Sequence, residues 1–282
     1  MEEKITILPA DLEILRAKMA EKEKSTATIE KYLHDAGEFI KYLGGRQMTQ
    51  QEALNWKRSL EESGLCPSTI NCRIAAANAL FAAAGFKGIR LKALKVQRKM
   101  FREDKKDLSI GDYRRLVSKA RSSGDERLAL LFETICSTGI RVSEVRYITV
   151  EAAKKGCAQV SLKGKIRTIL IPGKLGRRLL HYAKSQKIWC GEIFVSKSGR
   201  GLSRGRIWAM MKGICKAAGV EAQKVFPHNL RHLFARTFYK QTKDVVKLSD
   251  VLGHSSISTT RIYLISTGRQ HRKCLDTLHL VC

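Results

Sequence analysis

The sequence predicts a mainly α-helical fold with one small β-hairpin, divided into two domains joined by a basic connector. Most segments of the 282-residue chain repeat apolar residues at spacings of three and four, which is the helical period. One segment, around residues 157 to 171, instead alternates with period two on either side of a Lys-Gly-Lys tip. The density of charge also changes sharply along the chain, and this change separates an N-terminal segment from the rest.

The first segment, residues 1–86, reads as a bundle of about four helices. Ser25 or Thr26 caps the second helix, and a Gly-Gly pair ends it. Pro67 and Gly85 bound the fourth helix. The sequences concerned are "PADLEILRAKMAEK", "STATIEKYLHDAGEFIKYLGG", "TQQEALNWKRSLEESG" and "CPSTINCRIAAANALFAAAGF".

The connector, residues 87–106, holds nine basic residues and two acidic ones. Two interpretations stay open, a solvated helix or an extended linker that follows a phosphate backbone. The linker is favoured because regularly spaced cations suit contact with DNA.

The second domain, residues 107–282, returns to helical patterns, with the hairpin between them. The helix in "ERLALLFETICSTG" ends at Gly139. Five places carry polar groups on otherwise apolar elements. These are Arg141, Lys163 or Lys165 at the hairpin tip, His228 with Arg231 on one helical face, His254, and Tyr263. Singly, each is more commonly a cap, a surface residue or a packing residue than a functional group.

The net charge favours a polyanionic partner. The chain has 53 Lys and Arg against 26 Asp and Glu, a formal net charge of +27. Residues 1–86 hold 11 basic and 12 acidic residues, whereas residues 107–282 hold 33 and 12. A charge that served only solubility would be spread more evenly. The excess therefore indicates nucleic acid, the commonest polyanion.

Several protein classes are disfavoured. The longest apolar runs are too short for a membrane span, and the charged N-terminus does not fit a secretion signal, so a cytoplasmic location is expected. The eight cysteines form no C-x-x-C pair or Cys/His cluster, which argues against structural zinc.

Three motifs together resemble the boxes of the tyrosine recombinases, the phage-type site-specific integrases common on mobile elements. They are "TGIRVSEV", "HNLRH" and "LGHSSISTTRIY", in that order, with a basic hairpin between the first two. The resemblance covers residues 107 to about 275, and residues 1–86 resemble the helical core-binding domain of that family more weakly. It implies a two-domain clamp that closes around duplex DNA.

The resemblance also implies roles for the site residues. Tyr263 would attack a DNA phosphate to form a 3′-phosphotyrosyl link, which conserves the energy of the broken bond. Arg141 and Arg231 would grip the phosphate oxygens. His228 suits proton transfer, and His254 would hold a phosphate oxygen and orient the tyrosine.

A hairpin lysine would protonate the leaving oxygen. The family pattern resembles "GKGxKxR", and "LKGKIR" is one residue shorter, so Lys163 is the better match and Lys165 remains possible. Glu144 would support the site. His232 is expected to face another side of its helix and to be structural. With two arginines on the phosphate, the chemistry requires no metal or cofactor.

The implied partners are double-stranded DNA and other copies of the chain, in a homo-tetramer on two DNA sites. The tail after Tyr263, with Leu275, Leu278, Leu280 and Val281, would dock into a neighbouring subunit or pack in cis. Two alternatives stay open, a catalytically silent DNA-binding regulator of the same fold and a type IB topoisomerase. Integration, dimer resolution and inversion are not distinguished.

Overall fold

The computed structural model describes residues 6–86, 88–96, 107–162, 165–254, 256–264 and 276–277. Within these residues the chain forms twelve α-helices and one two-stranded antiparallel sheet. The predicted fold class, mainly helical with one small hairpin, is therefore confirmed. Over the same residues, no helix combines the length and the apolar character that a membrane span needs. The chain divides into two compact units, Met1–Arg98 and Lys99–Cys282.

The first unit is the predicted four-helix bundle. Phe39 lies at its centre, with ring centroids 4.9 Å from Trp56 and 5.0 Å from Phe81 in edge-on contacts. Gly44 and Gly85 end the second and fourth helices in the left-handed conformation, as the sequence predicts. The helices are α1 (Asp11–Glu21), α2 (Thr26–Leu43), α3 (Gln50–Glu62) and α4 (Pro67–Ala84).

The start of the connector is held against the first unit by side-chain amides of α4. The Asn78 amide accepts from the Leu91 N–H and donates to the Leu91 carbonyl, both at 2.9 Å. Asn71 makes the same pair with Leu94, at 2.7 and 3.0 Å. Leu91 is only 2% exposed. Residues 89–96 form no helix, and Leu91 and Leu94 bind α4.

The rest of the predicted linker, residues 97–106, lies outside the described residues. The division into residues 1–86, 87–106 and 107–282 stays a prediction.

The second unit is built around α6, whose Leu130, Leu131, Phe132 and Ile135 are completely buried. A helix that is apolar on most of its surface is stable only inside a core. It packs against α5, α8 and α10. The helices are α5 (Ile110–Ser122), α6 (Glu126–Thr138), α7 (Val150–Lys155), α8 (Gly173–Ser185), α9 (Arg204–Gly213), α10 (Pro227–Thr242), α11 (Val245–Leu252) and α12 (Ile257–Leu264), with 3₁₀ helices at Val142–Tyr147 and Ala222–Lys224.

The hairpin consists of β1 (Cys157–Leu162) and β2 (Lys165–Leu170). Its register places Cys157 opposite Leu170 and Val160 opposite Arg167. Val160 and Ile169 are buried, whereas Ile166 is 77% exposed. Alternate residues of a strand point to opposite faces, so Arg167 shares the buried face with Val160 and Ile169.

Removal of the Asn78 amide tests the docking of the connector. Asn78→Ala leaves the Leu91 N–H and carbonyl without their side-chain partner, so the free energy of unfolding should fall by about 1–3 kcal/mol. Asn55→Ala removes a solvent-exposed hydrogen bond from the Gln51 side chain within α3 and should cost less than about 0.5 kcal/mol. Urea unfolding of both variants measures the difference. Equal costs would contradict the role given to the hydrogen bonds between Asn78 and Leu91.

Candidate active site

The first arginine of the site sits where α6 ends. Gly139 closes α6 with φ +64°, and the chain then turns into the 3₁₀ helix Val142–Tyr147. Arg141 immediately precedes that helix. The Glu144 carboxylate accepts from the Arg141 backbone N–H at 2.8 Å and from its Nη1 at 2.9 Å. This local pairing, which resembles a capping box, fixes the backbone of Arg141 while 42% of its side chain stays exposed.

The second arginine, Arg231, lies on the first turns of α10 and is only 2% exposed. Its Nη1 donates to the Gly139 carbonyl, and its Nη2 donates to the Leu252 carbonyl at 2.9 Å. These carbonyls lie at the C-terminal ends of α6 and α11, where backbone acceptors lack helical partners and the helix dipole favours cations. The Arg231 side chain thus links three helices at their ends.

Tyr263, on α12, is also bound by Arg231. The phenol oxygen Oη accepts a hydrogen bond from Arg231 Nε at 3.3 Å. Tyr263 is 5% exposed and packs in a small apolar cluster with Ala235, Leu248 and Leu252. Helix α12 therefore places the predicted nucleophile directly beside the buried guanidinium.

His254 follows the end of α11 and adopts a defined tautomer. Its Nε2 lies 2.9 Å from Arg231 Nη2, and its Nδ1 lies 2.8 Å from Thr260 Oγ1. Arginine can only donate, so Nε2 is the acceptor and the neutral ring carries its proton on Nδ1. In this arrangement His254 orients Arg231. Its contact with a phosphate oxygen stays a prediction.

Three histidine rings surround Tyr263. Ring centroids lie 4.4 Å away for His232, 5.6 Å for His254 and 5.9 Å for His228. His232 was expected to face another side of α10 from Arg231 and to be structural, but of the three rings it lies nearest to Tyr263. His228 and His232 are four residues apart and therefore share one face of α10, with rings 5.2 Å apart. That spacing was the signal in the sequence that could have found His232.

The structure adds one residue that was given no role above, although it matches the final arginine of the family pattern "GKGxKxR". Arg167 of β2 donates from Nη2 to Glu144 Oε2 at 2.6 Å and from Nη1 to the Leu252 carbonyl. Glu144, 1% exposed, thus pairs with two guanidiniums. The sequence could not identify the buried face of β2, because Ile166 and Ile169 lie on opposite faces of the strand.

The three arginines of the site make its local electrostatic potential positive, and the pKa values of neighbouring groups shift accordingly. Burial lowers the pKa of Arg231, and burial together with Arg231 and Arg141 lowers the pKa of Arg167 to about 10 against the opposing effect of Glu144. Burial and the three arginines lower the pKa of His254 to about 4. Three arginines face one carboxylate, so the site favours an anion and keeps His254 neutral at pH 7.

The hairpin lysines are the remaining predicted site residues. Lys163 lies outside the described residues. Lys165 pairs with Leu162 at the end of the β1–β2 ladder. The structure thus brings together Arg141, Arg231, His254 and Tyr263, with His228 beside the tyrosine.

A comparison with protein families matches this part of the chain. Residues 106–269, more than half of the sequence, match the model described as the phage integrase family. The chain belongs to the phage integrase family. The resemblance drawn from the three sequence motifs is therefore confirmed.

Relatives named as tyrosine recombinases match most of the chain. Tyrosine recombinase XerA of Pyrococcus furiosus is 28% identical over 267 residues, covering 92% of this chain and 90% of the relative. Tyrosine recombinase XerD of Listeria innocua is 27% identical, covering 87% and 90%. A lambda integrase dimer bound to a COC′ core site has a TM-score of 0.73 at 20% identity, covering 92% of this chain and 95% of that one. The structural likeness shows the shared fold.

The neutral state of His254 can be measured directly. In selectively labelled protein, the His254 imidazole should titrate near pH 4, and His254→Gln identifies its signal. The same protein in urea should titrate near the ordinary value of about 6.5. Because the folded pKa is the lower one, the stabilising contribution is complete above about pH 6.5 and is lost as the pH falls toward 4. A folded-state midpoint near 6.5 would contradict the lowered pKa of His254.

Proposed function

We propose that the chain is a site-specific recombinase that cuts and rejoins duplex DNA through a 3′-phosphotyrosyl link at Tyr263. The observation that carries the proposal is the hydrogen bond from the buried Arg231 guanidinium to the Tyr263 phenol oxygen. Membership of the phage integrase family, with relatives named as tyrosine recombinases over most of the chain, supports it.

The reaction divides into a bond that forms and a bond that breaks. Tyr263 Oη attacks phosphorus, and the bond from phosphorus to the 5′-oxygen of the next nucleotide breaks. The phenol proton passes to a base, for which His228 is the candidate on this face of α10. A hairpin lysine, Lys163 by the family pattern, gives a proton to the departing 5′-oxygen. Reversal with a different 5′-hydroxyl rejoins the strand.

The arginines stabilise the charge that the phosphate gathers during transfer. Phosphoryl transfer depends mainly on positioning and on fixed positive charge. Glu144 fixes the backbone of Arg141, while 42% of the Arg141 side chain stays exposed. The Arg141 guanidinium can therefore reach a phosphate oxygen without rearranging the site. Arg231 is held beside the nucleophile. Arg141, Arg167 and Arg231 together carry two more positive charges than Glu144 neutralises. This excess suits the binding of a negatively charged phosphodiester.

The two alternatives are less well supported. A silent DNA-binding protein would not need Tyr263 to be oriented by Arg231, since phosphate binding uses exposed cations alone. A type IB topoisomerase would share the chemistry, but the relatives that match most of this chain are named as recombinases. The helical N-terminal unit and the tail after Tyr263 also favour a recombinase.

The assembly that we propose is a homo-tetramer on two DNA sites, acting in the cytoplasm. Residues 1–86 would bind one side of the duplex and residues 107–282 the other, with the basic connector along the backbone. A solved relative of the same fold is a dimer on its core site. The tail would dock in a neighbouring subunit, although Leu275, Leu278, Leu280 and Val281 lie outside the described residues.

Loss of the phenol oxygen tests the covalent step. A nicked suicide substrate carrying sites that flank the gene should trap wild-type protein as a denaturant-resistant adduct with DNA. Tyr263→Phe should form no adduct and should bind the same DNA within about threefold, because phosphate contacts dominate affinity. Gel electrophoresis in detergent and a binding titration measure the two quantities. Strong binding with no wild-type adduct would favour the silent DNA-binding alternative.

A sulfur-for-oxygen substrate separates the two hairpin lysines. Lys163→Ala should slow cleavage of normal DNA by about 10²–10⁴-fold, the usual contribution of a general acid. With a bridging 5′-sulfur the leaving thiolate, whose pKa is near 8.5, needs no proton, so the same variant should recover to within about tenfold. Lys165→Ala is the matched control and should behave like wild type on both substrates. The reverse pattern would assign the role to Lys165.

A further inference from the structure

Arg167 connects the hairpin to the groups that hold Arg141 and Arg231. From strand β2, its guanidinium donates to Glu144 at 2.6 Å and to the Leu252 carbonyl. Glu144 also binds the backbone and side chain of Arg141. The Leu252 carbonyl also accepts from Arg231. One side chain therefore shares an acceptor with each of the two arginines expected on the phosphate.

The position of Arg167 leaves it little room to move. Only 13% of its side chain is exposed, and 2% of the Glu144 side chain. Its stem lies against Gly253, where an added Cβ would collide with Arg167 Cδ. Gly253 has φ +62°, a conformation that favours glycine in its own right. The close approach of backbone and side chain at Gly253 holds β2 against the end of α11.

Strand β2 leads directly to the hairpin tip. Arg167 is two residues from Lys165 and four from Lys163 along the chain. The ladder ends at the pair Leu162 and Lys165. A chain spans at most about 3.3–3.6 Å per residue, so anchoring β2 at Arg167 restricts the region that the tip can reach.

We infer that Arg167 is a positioning residue, which fixes the hairpin to Glu144 and the Leu252 carbonyl so that the hairpin lysine reaches the leaving oxygen. The inference rests on the proposed function. Arg167 itself need not touch DNA. Its planar fork bridges a carboxylate and a carbonyl that face it from different elements, a geometry that the single ammonium of lysine does not reproduce.

The loss of Arg167 should therefore resemble the loss of the general acid. Arg167→Met should slow cleavage of normal DNA by about 100-fold, as misplacement by about 1 Å can do. On the substrate with a bridging 5′-sulfur, the same variant should cleave within about tenfold of wild type, because the leaving group needs no proton. Arg167→Lys should recover only part of the loss on normal DNA.

A matched control variant, Arg236→Met, distinguishes a positioning role of Arg167 from a general loss of stability. Arg236 also bridges a carboxylate and a backbone carbonyl, Asp107 at 2.5 Å and Leu108 at 2.9 Å, on another part of α10. Arg236→Met removes the same charge and the same kinds of bond. It should shift the melting temperature comparably, while cleavage of both substrates stays within about threefold of wild type.

Combining variants gives a second readout. If Arg167 acts through the hairpin lysine, the double variant of Arg167→Met and Lys163→Ala should cleave no more slowly than Lys163→Ala alone. Additive losses, or equal losses by Arg167→Met on the oxygen and sulfur substrates with DNA binding intact, would overturn the inference. No adduct from wild type on either substrate would instead overturn the proposed function, and the inference with it.

Discussion

The arrangement of the site depends on the burial of the Arg231 guanidinium. A buried cation is costly unless every part of it is paired. Arg231 meets this requirement with backbone carbonyls at the ends of α6 and α11, and with His254 and Tyr263. The ends of these helices must therefore converge on one side chain. The convergence brings the end of α6, the start of α10 and the turn after α11 to the same place as the tyrosine.

The site carries an excess of positive charge, which favours the binding of an anion over the stability of the free protein. Three arginines lie around Glu144, and water screens Arg167 and Arg231 little because their side chains are largely buried. Burial, together with the repulsion among the arginines, lowers the pKa of Arg167 and keeps His254 neutral. An incoming phosphodiester would remove part of that repulsion, so the unfavourable term in the free protein becomes a favourable term on binding. The same field would act on negative charge that develops during phosphoryl transfer.

Local features of the fold could be predicted from the sequence, and long-range ones could not. Gly44, Gly85 and Gly139 end helices where the sequence places their ends, because a helix stop is a property of neighbouring residues. Arg167 was missed because its partners are 23 and 85 residues away. His232 was missed because its position next to Arg231 was taken to place it on another side of the helix, although His228 and His232, four residues apart, share a helical face. The docking of Leu91 on α4 likewise depends on an asparagine 13 residues away.

The use of backbone carbonyls as acceptors explains why the site is sensitive to the chain path. An acceptor such as the Leu252 carbonyl does not depend on the identity of the leucine side chain, so many substitutions there would preserve it. It does depend on how α11 ends, and Gly253 determines that end through its positive φ and its contact with Arg167. At Gly139 an added Cβ would collide with the Phe234 ring. The two carbonyl acceptors of Arg231 are thus fixed by glycines at helix ends, and small changes there would move the Arg231 guanidinium away from Tyr263.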